Sequence, residues 1–94
     1  MIKSFKDKET EKVYNQIFSK KLPTDFQVRA LTKLLLIENA ETENDLRIPP
    51  SNHFEHLLGK RKDECSIRIN KQWRICFKFT NGNAYAVGIE DYHS

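Results

Sequence analysis

The chain reads as an α+β fold: helices come first, and an antiparallel sheet of about four to five strands follows. Two observations predict this order. Apolar residues recur at helical spacing up to Ile37, whereas from Cys65 to Ile89 they alternate strictly with polar or small ones. A third is the turn chemistry, with Asn81-Gly82 punctuating the alternating region. Ninety-four residues are enough for a single domain spanning 1–94. A chain of this size buries only about 60–65% of its unfolded surface, so the core should be thin. With 38% hydrophobic residues it can cover a sheet with two helices, but it has little to spare for a deep pocket.

Taken in order, Ile2 to Phe5 suit a short first strand. Val13, Tyr14, Ile17 and Phe18 mark one face of a short helix, with Lys20-Lys21 placed at its C-terminal end where cations suit the dipole. Thr24 with Gln27 three residues on is a capping-box start for a second helix, whose stripe is Ala30, Leu31, Leu34, Leu35 and Ile37. From Asn39 to Asn52 the pattern lapses, and Pro49-Pro50 forbids a helix, so a surface loop with a turn of helix near Thr42 is expected. His53 to Leu57 suits a short strand, and Gly59 opens a basic loop.

Strand parity then sets the hairpins. Ile67 and Ile69 share a face with Trp73 and Ile75 only if the intervening loop holds an odd number of residues. A loop at Asn70–Gln72 fits and sets Arg68 directly across from Arg74 on the open face. In the next hairpin an Asn81–Asn83 loop aligns Phe79 with Tyr85 and Phe77 with Val87. A two-residue Asn-Gly turn would instead pair those aromatics with alanines, and the first register is preferred.

The formal charge is +3, so its distribution matters more than its size. Acids gather at Glu38 to Asp45. Bases gather at Lys60, Arg61 and Lys62, then recur at Arg68, Lys71, Arg74 and Lys78. Such a chain could present one basic face to a polyanion, although charge alone favours a solvated mixed surface. Opposed arginines repel, so Arg68 and Arg74 either pair with local carboxylates such as Glu90 or flank a phosphate, which guanidinium forks suit. The end of the chain, Asp91-Tyr92-His93, adds a carboxylate, a phenol and an imidazole beside that face. Those groups suit ribonucleolytic transphosphorylation: proton transfer by imidazole or carboxylate, base stacking on tyrosine, and charge neutralisation by arginine.

Cys65 and Cys76 fall inside strand-like runs and show no metal-ligand spacing, so reduced thiols are expected, and neither a metal nor a cofactor. Met1 to Lys6 lacks an apolar run behind its lysines, and nothing approaches a membrane span. A cytoplasmic protein without membrane contact is the expectation.

The string Ser66-Ile67-Arg68-Ile69-Asn70-Lys71-Gln72-Trp73-Arg74-Ile75-Cys76-Phe77, followed by Asp91-Tyr92-His93, closely resembles HigB-type toxins of the RelE superfamily. The opening Met1 to Phe5 and the segment Leu46 to Asn52 resemble them too, so the likeness covers nearly the whole chain. It implies a RelE-like fold, with two N-terminal helices on an antiparallel sheet. It also implies a toxin of a type II toxin-antitoxin system, a metal-free endoribonuclease that cuts mRNA in the A site of the translating ribosome. The 30S subunit and a HigA-like helix-turn-helix antitoxin are the further partners it implies. Matched residue by residue, Arg74 is the central phosphate contact, and Asp91, Tyr92 and His93 are the catalytic tail. Arg68 and Lys60 match positions that are often basic and RNA-facing, and the clustering of bases, apart from the resemblance, would let Arg61, Lys62 and Lys71 extend the phosphate track. The chain departs from the family pattern before Gly59: Glu55 and Leu58 stand where ribonucleolytic members commonly carry His and Lys. Glu55 could serve as the base if burial raises its pKa, whereas His56 should point to the other face and His53 to the rim. The competing reading is a non-catalytic inhibitory module of the RelE/ParE fold, docking on a protein or ribosomal target, and it has no need of the tail.

Overall fold

The computed structural model describes residues 1–92. Helices α1 (Lys8–Tyr14), α2 (Gln27–Asn39) and α3 (Glu43–Leu46) precede strands β1 (Glu55–His56), β2 (Cys65–Arg68), β3 (Trp73–Thr80) and β4 (Asn83–Asp91). The strands form one antiparallel sheet in the order β1-β2-β3-β4. Helices α1 and α2 pack on each other and against β4. The core lies between helices and sheet, where Leu34, Ile37, Ile67, Ile75, Phe77 and Val87 are fully buried. This is the expected α+β arrangement. Among the described residues no helix is long and apolar enough to cross a membrane.

The helices differ in detail from the expectation. Asp7 caps α1, accepting from the Thr10 amide at 2.7 Å. The helix ends at Tyr14, and Gln16 at φ 61° carries the chain away, so Ile17 and Phe18 leave the stripe and stay more than half exposed. The Thr24–Gln27 capping box does not form. A 3₁₀ turn at Thr24–Phe26 leads in, and the Gln27 side chain accepts from the Ser19 amide at 3.1 Å while donating to the Ser19 and Leu22 carbonyls. Satisfying the backbone around the buried Ser19 outweighs capping the helix. A capping box does open α3, between Thr42 and Asp45. On α2, Ala30, Leu34 and Ile37 are buried, but Leu35 lies off the stripe and is 45% exposed.

Two predicted strands are shorter than expected. Ile2 to Phe5 lies parallel to β4 through two isolated bridges, Ile2 to Ala84 and Phe5 to Val87. In the His53–Leu57 segment only Glu55 and His56 pair, because His53 adopts a left-handed φ of 44° and turns the chain. Ahead of it, Asn52 is fully buried and donates to the Leu46 and Ile48 carbonyls, which fixes this loop to the fold.

The first hairpin has the register that parity predicts, with Ile67 opposite Ile75 and Arg68 opposite Arg74. Asn70 closes its turn, accepting from the Gln72 and Trp73 amides at 2.9 and 2.8 Å. The second hairpin divides. At the turn Thr80 faces Asn83, Phe79 faces Ala84 and Lys78 faces Tyr85, so the loop is the two-residue Asn81-Gly82, both at positive φ. Phe79 therefore does not pair with Tyr85, which is 39% exposed. Between Cys76 and Lys78 the register slips by one, and from there Ile75 faces Ile89 and Arg74 faces Glu90. Ala86, at φ 53°, is the bulged residue, held by the Ser4 hydroxyl at 2.8 Å while the Ser4 carbonyl takes the Val87 amide at 3.0 Å. The bulge lets Ala84 on one side and Val87 and Ile89 on the other all face the core, which no regular strand could do.

Candidate functional site

Pairing puts Ser66, Arg68, Arg74, Cys76 and Glu90 on the sheet face turned away from the helices, and Glu55 joins them opposite Ser66. This face was expected to be open. It is largely covered instead: Ser66 and Cys76 are buried, and Arg74 is only 6% exposed.

Arg74 is the hub. Its Nε donates to Ser66 Oγ at 2.9 Å, and its Nη2 donates to the His53 carbonyl at 2.6 Å and meets Glu55 Oε1 at 3.2 Å. The Tyr92 ring lies against the guanidinium, with Cζ 4.8 Å from the centroid. A buried guanidinium without partners would cost several kcal/mol. This one is compensated on one edge, while its Nη1 makes no hydrogen bond to any described residue.

The tail is positioned by the β2–β3 turn. Gln72 accepts the Tyr92 amide on its carbonyl at 2.6 Å, and its side-chain amide donates to Asp91 Oδ2 at 3.0 Å. Asp91 and the half-exposed Tyr92 thus stand at the same end of the sheet as Arg74. His93 lies outside the described residues. Glu55 is in the site, but its side chain is 47% exposed, so the burial its base role was expected to need is missing. His56 points elsewhere, to Glu43 at 3.0 Å, as the one-residue displacement predicts. Leu58 is 89% exposed beside Gly59.

The basic positions divide sharply. Lys60, Lys62 and Lys71 are exposed. Arg68 donates from Nε to the Asn70 carbonyl at 3.0 Å and pairs with no carboxylate among the described residues. Arg61 is engaged on both edges, with Glu64 at 2.9 Å and Glu90 at 2.7 Å. Its hydrogen bonds hold both carboxyls below their usual range. Its donors go to carboxylates, not to an incoming phosphate. Glu90 itself, although opposite Arg74 in register, binds Arg61 and Lys6. Burial pushes the Cys65 and Cys76 thiols up to about 12 and about 11, which leaves them protonated and inert. Among the described residues no group of three or more His, Cys, Asp or Glu converges as a metal site would require.

Sequence reasoning missed three supports: Ser66, Gln72 and the His53 carbonyl. Ser66 was within reach, since parity puts it on the Arg74 face. Nothing local announces the other two. Together the groups present a buried guanidinium, an exposed aromatic ring and the Glu55 carboxylate, with Asp91 at the same end of the sheet but opposite Trp73 in register. That set can bind a phosphodiester beside a stacked base and move protons around it.

A family model described as the RelE-like toxin of type II toxin-antitoxin system HigB matches residues 3–93. The chain is 44% identical over 85 residues to Toxin HigB-1 of Vibrio cholerae serotype O1, covering 89% of this chain and 90% of that one. It is 33% identical over 93 residues to Endoribonuclease HigB of Proteus vulgaris, covering 99% of this chain and all of the relative.

Proposed function

The chain belongs to the HigB-like toxins, the RelE-like toxins of type II toxin-antitoxin systems, and from that premise we propose that it is an endoribonuclease that cuts mRNA on the translating ribosome. The observation that carries the reading is Arg74: a buried guanidinium clamped by Ser66, His53 and Glu55, faced by Tyr92, and with no hydrogen bond from Nη1 among the described residues.

In this reading the ribose 2′-oxygen attacks the adjacent phosphorus and the bond to the 5′-oxygen breaks, leaving a cyclic phosphate and a free 5′-hydroxyl. A carboxylate or imidazole takes the 2′-proton, and a second group returns one to the leaving oxygen. Asp91 and His93 are the proton-transfer residues, and Glu55 serves as the carboxylate partner of Arg74. Arg74 steadies the charge that grows on the phosphoryl oxygens, so no metal is required for that purpose. Tyr92 stacks on an unstacked base, and Arg68, Lys60, Lys62 and Lys71 hold the flanking backbone. The 30S subunit presents the message, a HigA-like antitoxin silences the toxin, and the setting is the cytoplasm.

Cell-free translation with primer extension on the message tests this. Wild type should produce codon-positioned cuts that vanish with Arg74→Ala and with His93→Ala, while circular dichroism shows both variants folded. Blocked translation with an intact message would overturn the enzyme in favour of a non-catalytic inhibitory module.

A further inference from the structure

Next to the Arg74 site a groove of about 520 Å³ runs between α2 and the β2–β3 turn, lined by Arg29 and Lys33 from α2 and by His53, Arg68 and Lys71. Several cations on or beside the sheet face are balanced. Lys6, Arg61, Arg74 and Lys78 each meet a carboxylate. What sets the groove apart is convergence: among the described residues Arg29, Lys33, Arg68 and Lys71 form no ion pair, they line one cavity, and no carboxylate residue lines it with them.

These cations are held in place. Lys33 Nζ donates to Asn52 Oδ1, and Asn52 is itself buried and bonded to two carbonyls. Arg68 is fixed through the Asn70 carbonyl. Burial, and after it the neighbouring Arg29, pulls the Lys33 ammonium below its usual value. Arg29 and Lys33 stand four residues apart on one helix, where like charges cost a few tenths of a kcal/mol.

We propose that this groove is a second phosphate subsite, which binds the backbone of the same RNA strand one step away from the phosphate at Arg74. The inference rests on the ribonuclease reading. The two sites are continuous: His53 lines the groove while its carbonyl holds Arg74, and Arg68 is the cross-strand partner of Arg74. The remaining lining, Thr32, Ser51 and Asn70 with the buried Ile69, offers hydroxyl and amide groups and no exposed apolar anchor. A docked protein segment would want such an anchor, whereas a phosphate track needs cations and neutral donors. An exposed apolar cluster lies elsewhere, at Ile17, Phe18 and Val28.

The test measures binding of a short 2′-O-methyl RNA, which cannot be cut, both free and in the A site of programmed ribosomes, across a salt series. Arg29→Gln/Lys33→Gln should bind about tenfold more weakly and lower the salt slope by about 1.4, because each phosphate contact on a single strand contributes about 0.7. Melting temperature controls for the lost Lys33–Asn52 bond, and Arg29→Gln alone, outside that bond, should show about half the slope change. If the double variant binds like wild type while Arg74→Ala abolishes cleavage, the subsite fails and the ribonuclease reading stands. If wild type neither binds nor cuts in either format, the ribonuclease reading fails and takes the subsite with it. If the variant loses antitoxin binding but keeps RNA binding, the groove belongs to a protein partner and the proposal is overturned.

Discussion

Arg61 and Arg74 make the most instructive contrast in the molecule. Both are arginines on the covered sheet face or its rim, and both touch glutamates. Arg61 spends both edges of its fork on Glu64 and Glu90, with four hydrogen bonds between 2.7 and 2.9 Å. Arg74 meets one carboxylate, Glu55, and otherwise a hydroxyl and a carbonyl. The first arrangement is a closed structural knot that ties the Gly59 loop to β4. The second leaves a cation that, among the described residues, still has donors to give. A run of basic residues therefore says little about available charge, which depends on where the carboxylates fall.

Replacing the functional partner should have the largest effect. Arg74→Lys keeps the charge but loses the fork that spans Ser66, His53 and the anion, so cleavage on programmed ribosomes should fall by about 10²–10³-fold. Near-wild-type activity would show that Arg74 is only a structural residue and erase the contrast. Arg61→Gln should do the reverse. Loss of partly exposed pairs costs about 1 kcal/mol, or roughly 4–8 °C in melting temperature for a domain of this size, with cleavage per folded molecule retained. A large loss of activity at unchanged stability would place Arg61 in the phosphate track after all.

The smallest effect separates the two by pH. Arg61 holds the Glu64 and Glu90 carboxyls below their ordinary value of 4.5. The stability they add is present above that value and is lost as pH falls through their lowered folded values. Wild type should lose stability steeply below about pH 4.5, and Glu90→Gln should flatten that slope without changing stability near neutral pH by more than about 1 kcal/mol. Parallel acid-unfolding curves would show that the knot contributes nothing.

Much of this architecture was legible in the residues alone, because strand alternation is local. Parity placed Arg68 opposite Arg74 and turned His56 away, and carried one residue further it would have put Ser66 on their face. The apolar stripe of α2 was legible too, apart from Leu35. The catalytic groups were harder. The tail is a short string that acquires meaning only beside Arg74, and its His93 lies outside the described residues. Arg29 and Lys33 carried a faint signal, a like-charged pair one helical turn apart, and it became legible only once Arg68 and Lys71 stood across from it.

The succession of elements and the side to which each strand residue points belong to the sequence, since they follow from the chemistry of neighbours along the chain. Three things belong to the tertiary structure alone. The N-terminal segment holds the Ala86 bulge and so shifts half of a hairpin by one residue. The loop before β1 supplies the His53 carbonyl that buries Arg74. Glu90, twenty-nine residues from Arg61, chooses it over the arginine opposite. Each of these is a choice between partners far apart in sequence, decided by which polar group must be satisfied when the chain closes over it.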